Sequence, residues 1–185
     1  LITPDQRRDP QALALMSSRI VEQPNGPPGG SLLDQRASEL GYTDAWTTTL
    51  DGPVSLSDFI VAFWTTPVFR AERLVLALIG WPSTAHDARA LADGASERFA
   101  AWRVEVRRED EILLRDVSGR TCSWFRVEPL GTTGTQLWFG SGITAIARPQ
   151  GSTPTIGPVF RALLGAHRVY SRVLLAQARR QLAPR

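Results

Sequence analysis

The 185-residue chain predicts one α+β domain: a curved antiparallel sheet with its helices gathered on one face and a long helix at the C-terminus. Three observations carry this. From Arg98 to Ala147 the sequence alternates with period two in four segments joined by short turns. From about Ile156 to Leu182 apolar residues recur at helical spacing. Between a first strand and those four lie helical segments, so the helices are inserted after the first strand.

In chain order, residues 1–31 are expected to be a flexible N-terminal extension and residues 32–185 the domain. Met16 is the only methionine, and residues 1–15 lack the basic start and apolar segment of a secretory signal. Either a leader has been cut away, or the native start is Met16 and what precedes it is an extension. Glu22 to Ser31 is rich in proline and glycine, which predicts an irregular, mobile stretch. "GYTDAWTTTLDGP" alternates, carries aromatic and β-branched residues and ends in a turn signal, so 42–50 is the first strand. "SLSDFIVAF" opens with serines able to cap a helix. Pro67 restarts the helical pattern, which continues to Gly80, and a third short helix ends at Gly94. The four alternating segments "RFAAWRVEVRR", "EILLRDV", "RTCSWFRVE" and "TQLWFGSGITAIA" complete a sheet of five strands.

A tight turn at Ser118-Gly119 fixes a register. Leu114 then faces Ser123, Ile112 faces Phe125 and Glu111 faces Arg126. A loop at Arg108 to Asp110 sets Val106 beside Ile112 and Val104 beside Leu114. One sheet face collects Trp102, Val104, Val106, Ile112, Leu114, Ser123, Phe125 and Val127. The other collects Arg103, Glu105, Arg107, Glu111, Arg115 and Arg126, with opposite charges across strands. A one-residue slip scrambles this separation, which supports the register. Extending it pairs Phe125 with Phe139 and Ser123 with Ser141, and sets Gly140 and Gly142 opposite Trp124 and Cys122. At about 100° per residue, the last helix presents Phe160, Leu163, Leu164, His167, Ser171, Leu174, Ala178 and Leu182 on one face. That face is expected on the apolar side of the sheet, with His167 pointing at the strands.

Composition excludes several chemistries. All 21 basic residues are arginine, and without lysine there is no Schiff base, no pyridoxal-phosphate anchor and no Walker-type phosphate loop. Cys122 is the only cysteine, so no internal disulfide forms, and a cytoplasmic location is expected. No apolar run reaches the ~18 residues of a membrane span. A net charge of +3 without a clustered patch does not argue for nucleic acid. His86 and His167 lie in distant elements, so no metal site is expected.

A strand, inserted helices, a curved antiparallel sheet and a long C-terminal helix laid across it resemble the START-like, or Bet v 1-like (SRPBCC), helix-grip superfamily. "FWTTPVFRAERLVL" and "HRVYSRVLL" are similar to stretches in bacterial members with no assigned function. The resemblance covers roughly Tyr42 to Leu182. It implies a cavity between sheet and helix that holds an apolar small molecule, without a cofactor, and it carries over no catalytic residue.

The candidate ligand-binding set is therefore Trp102, Val104, Ile112, Leu114, Ser123, Phe125, Phe139, Ser141, Leu164, His167 and Ser171. His167 is also the candidate catalytic residue, as a general acid or base above the Ser123–Ser141 pair, with Tyr170 or the serines orienting a substrate. The competing explanation is a core histidine that has found a hydrogen-bond partner. Nothing marks a serine nucleophile with an orienting carboxylate. Arg161, Arg168, Arg172 and Arg179 form a stripe along the helix, able to meet an anionic surface or simply to solvate its edge. Trp64 and Trp81 are placed near the cavity mouth. Arg70, Glu72 and Arg73 are expected to form a local ion pair on an exposed helix side. Three functions stay open: a binder of an apolar molecule, a cofactor-free cyclase, hydratase or isomerase, and an interaction protein using the arginine stripe.

Overall fold

The computed structural model describes residues 19–146 and 157–183. Residues 1–18 of the expected extension, Ala147 at the end of the expected last strand and Ile156 at the expected helix start lie outside them. The sheet is antiparallel and seven-stranded. The elements run β1 (Val21–Glu22), a 3-10 helix (Asp34–Glu39), β2 (Leu40–Asp51), α1 (Leu56–Trp64), α2 (Pro67–Leu78), α3 (Ala85–Ala92), β3 (Arg98–Phe99), β4 (Trp102–Arg107), β5 (Glu111–Asp116), β6 (Thr121–Leu130), β7 (Gly134–Thr144) and α4 (Pro158–Leu182). Across the sheet the strands lie in the order β1-β2-β7-β6-β5-β4-β3.

Two strands exceed the expected five. Val21 and Glu22 pair with Thr47 and Trp46, and Gln23 N–H donates to the Ala45 carbonyl at 2.8 Å. The compact fold thus includes residues 19–31, ahead of the expected start near Leu32. "RFAAWRVEVRR" is two strands, because Ala100 takes a left-handed φ of 49° and turns the chain so that Phe99 pairs with Trp102.

Helix starts follow their capping residues. Ser55 Oγ accepts from Asp58 N–H and Thr66 Oγ1 from Phe69 N–H, while Thr84 and Asp87 form a capping box. These caps satisfy backbone donors that a helix start leaves without intrahelical partners.

The register holds through β5, β6 and β7: Leu114↔Ser123, Ile112↔Phe125, Ser123↔Ser141 and Phe125↔Phe139 all pair as expected. It fails at one point. A bulge between Val104 and Val106 sets Val106 opposite Leu113 and Arg107 opposite Ile112. Val106 therefore turns to the far face, and Arg107 turns under the helices, where it donates to the Leu91 and Ala92 carbonyls.

The face expected to be charged carries a second, smaller core. Leu32, Leu33 and Leu40 cover Leu113, Cys122 and Trp124 there. Its charges are paired: Arg115 and Arg36 hold Glu105, and buried Glu111 accepts from Leu32 N–H, Trp124 Nε1 and Arg108.

The main core lies on the other face. α1 lays Phe59 and Phe63 edge-on against Phe125, with ring centroids 5.5 and 4.9 Å away, and α4 packs alongside through Leu174, Leu175 and Ala178. The C-terminal half of α4 is buried in this way, whereas Leu163 and Val169 of its first half are exposed.

Candidate functional site

The first half of α4 stands off the sheet, and the gap is a cavity of about 550 Å³ bounded by α1, α2, α4 and strands β4, β6 and β7. Small side chains create it. Where β6 and β7 carry Phe125 and Phe139 the sheet meets α1, but one row further along they carry Ser123 and Ser141, which leave the space open. Cavity walls are largely aromatic and aliphatic, from Phe63, Trp64, Phe69, Trp102, Phe139, Ile143, Phe160 and Leu164.

Of the expected binding residues, Trp102, Ser123, Phe139, Ser141, Leu164, His167 and Ser171 line this cavity. Val104, Ile112, Leu114 and Phe125 do not. Ile112, Leu114 and Phe125 are fully buried in the main core, and Val104 packs against that core. The reason is α1, which takes the place beside Phe125 that the sequence assigned to open cavity. Trp64 reaches the cavity wall; Trp81 does not and is exposed.

His167 closes a polar cluster that includes a residue absent from the expected set. The antiparallel pairing of β2 with β7 puts Asp44 opposite Ser141, extending the Ser123–Ser141 row across a third strand. Asp44 Oδ1 accepts from Ser141 Oγ at 2.6 Å and from Ser141 N–H at 3.0 Å. Its Oδ2 accepts from Tyr42 Oη at 3.3 Å and lies 3.4 Å from His167 Nε2. His167 Nε2 is 2.7 Å from Ser141 Oγ and 3.5 Å from Ser171 Oγ.

These directions assign the tautomer. Ser141 has one hydroxyl proton, and it goes to Asp44, so Nε2 supplies the proton for its own contacts. Nδ1 is then the ring atom without that proton, an acceptor when the imidazole is neutral. Burial alone raises the Asp44 carboxyl, but hydrogen bonds from His167 and Ser141 outweigh it and hold the group below its usual range. Ser141 is not a nucleophile in this arrangement. A hydrolytic triad sets the carboxylate on one imidazole nitrogen and the serine on the other, whereas here both lie at Nε2.

A second polar point lies on the α2 side. Glu72 faces the cavity and accepts a hydrogen bond from Tyr170 Oη. This corrects the expected exposed pairing of Glu72 with Arg70 or Arg73. Burial pushes the Glu72 carboxyl up, and the Tyr170 hydrogen bond opposes that only in part. Tyr170 itself is raised, first by burial and then by the neighbouring Glu72 charge.

Within the arginine stripe, Arg168 is paired with Glu22 of β1, and Arg179 Nε donates to the Thr49 carbonyl at 3.1 Å. Arg168 and Arg172 border an open surface groove shared with Arg19 and β1. No group of acidic, histidine or cysteine side chains suited to a metal ion occurs among the described residues. No helix among them is long and apolar enough to cross a membrane.

Nothing among the protein-family models, the curated proteins or the solved structures compared with this chain matches it.

Proposed function

We propose that this protein binds a small, mainly apolar molecule in the cavity beneath α4, and that its architecture is that of the START-like helix-grip superfamily. One observation carries the binding reading. A 550 Å³ space with aromatic walls contains a few converging polar groups, the form that small-molecule sites commonly take. The seven-stranded antiparallel sheet with a long C-terminal helix is consistent with the superfamily.

The test is to fill the space from its floor. Ser123→Phe projects a ring into the cavity from β6. Solvent extraction and mass spectrometry of natively purified protein are expected to recover a small molecule from the parent chain and not from the variant. Apolar compounds should raise the melting temperature of the parent only. Equal recovery and equal stabilisation in both proteins would refute the reading.

A second reading has its own observation: the carboxylate behind His167. With Nε2–H held by Asp44 and Ser141, Nδ1 can take a proton from a carbon or hydroxyl acid in the cavity, and Asp44 stabilises the imidazolium formed. This is the proton transfer that a cyclase or isomerase needs. His167→Leu keeps the Ser141–Asp44 bonds but takes the imidazole donor from the buried Asp44 carboxylate, so it should destabilise by about 1–3 kcal/mol. Turnover lost with ligand retained in that variant identifies an enzyme. No turnover in the parent leaves a binder.

A further inference from the structure

Glu72 has no evident structural need to be an acid. Among the described residues its one hydrogen bond comes from a tyrosine hydroxyl, which glutamine would accept as well. No cation lies within ion-pair distance of it among the described residues, although the chain holds 21 arginines. None of the arginines among the described residues lines the cavity. A partly buried carboxylate with a single neutral donor is poorly compensated for the water it has lost, and a cation in the cavity would supply what is missing.

The surroundings suit such a cation. Phe69 lies one turn before Glu72 on α2, its ring centroid 5.8 Å from that of Trp102, and both rings line the cavity with Tyr170. Aromatic faces beside an acid attract ammonium groups, most strongly where water is excluded. The same carboxylate repels an anionic ligand.

Resting on the proposed binding function and going beyond it, we propose that the cavity selects amines: the bound molecule carries a protonated nitrogen seated at Glu72 beside Phe69, Trp102 and Tyr170. Its apolar body lies along the aromatic walls. Tyr170 and His167 are one helical turn apart on α4, so a neutral oxygen of the same molecule can reach the His167 cluster.

Decylamine, decanol and decanoate share one chain and differ in charge. Their binding to the full chain at neutral pH, followed by calorimetry below their aggregation concentrations, separates the possibilities. The amine is expected to bind about ten-fold tighter than the alcohol or better, and the acid weakest. Glu72→Gln, which keeps an acceptor for Tyr170, should bring the amine down to the alcohol's affinity and leave the alcohol unchanged. Alcohol binding with no advantage for the amine, or a preference that survives Glu72→Gln, overturns the inference and leaves the cavity reading standing. If none of the three binds, both fail.

Discussion

Replacing Asp44 by asparagine changes one atom of the polar cluster and should move a proton on another residue. Oδ1 can stay in place for Ser141 N–H and Oγ, but the amide nitrogen takes the position of Oδ2, opposite His167 Nε2 at 3.4 Å. Two donors cannot face each other, so the ring is expected to shift its proton to Nδ1 and present a donor to the cavity. Lost charge in the hydrogen bonds should cost about 1–2 kcal/mol. Asp44→Leu is the harsher control. It removes the carboxylate acceptor of the buried Ser141 N–H and the bonds from Ser141 Oγ and Tyr42 Oη. The loss should be about 3–5 kcal/mol, or roughly 6–20 °C in melting temperature for a chain of this size. Nitrogen NMR of the imidazole reads the proton's position directly, and thermal melts read the cost. The parent's stability should also fall in acid. The depressed Asp44 carboxyl contributes stability above its unfolded value of about 3.9, and that contribution is lost as pH falls through the lower folded value. The asparagine variant should lack that share of the pH dependence. A parent with its neutral proton on Nδ1, or a leucine variant as stable as the parent, would refute the assignment.

Glu72→Gln should melt above the parent at pH 7 and level with it near pH 4. The folded carboxyl is raised, so the parent loses stability as pH climbs from the unfolded value of about 4.3 toward the folded one; equal melting at both values would remove the claim of uncompensated burial. Gly140→Ala places a Cβ 2.8 Å from the Asp44 carbonyl oxygen and 3.0 Å from the Trp124 ring, so denaturant unfolding should show a loss of about 1–3 kcal/mol. Changing Arg168 and Arg172 together to glutamine should leave melting temperature and ligand retention unaltered, since the Arg168–Glu22 pair is at the surface. Loss of binding to anionic vesicles in that double variant would instead assign the stripe a function.

The pairing of β5, β6 and β7 was legible because alternation and one tight turn leave a single register that keeps charges off the core. Gly140 and Gly142 fit that register: a side chain at either would strike Leu33 or Leu40, which cover the sheet there. The cover itself was not legible, since Leu32 and Leu33 reach Trp124 from some ninety residues away. Nor was the bulge, which carries no glycine; Glu105 sits at it, held by Arg36 and Arg115. Asp44 had a readable signal. It shares a strand face with Tyr42, Trp46 and Thr48, so pairing that strand with the last one would have set it beside Ser141. Glu72 had none, because its inward turn depends on where α4 places Tyr170.

The two halves of α4 obey different physics. From Ser171 onward, Leu174, Leu175 and Ala178 give the helix an apolar seat, and burial fixes it against α1 and β2. Before Ser171 the seat is missing. Ala166 offers little bulk, Leu163 reaches the cavity edge while staying largely exposed, and the sheet below presents Ser123 and Ser141. A sequence selected for packing alone would place larger apolar residues at these points and close the gap, gaining roughly 25 cal/mol for each Å² removed from water. Polar groups here instead hold one another in fixed orientations and add no apolar core. Sites where local choices work against burial are where function is to be sought. The stability left uncollected in this half of the helix is available to an occupant, whose binding would then stabilise the fold in proportion to the logarithm of its concentration over its Kd.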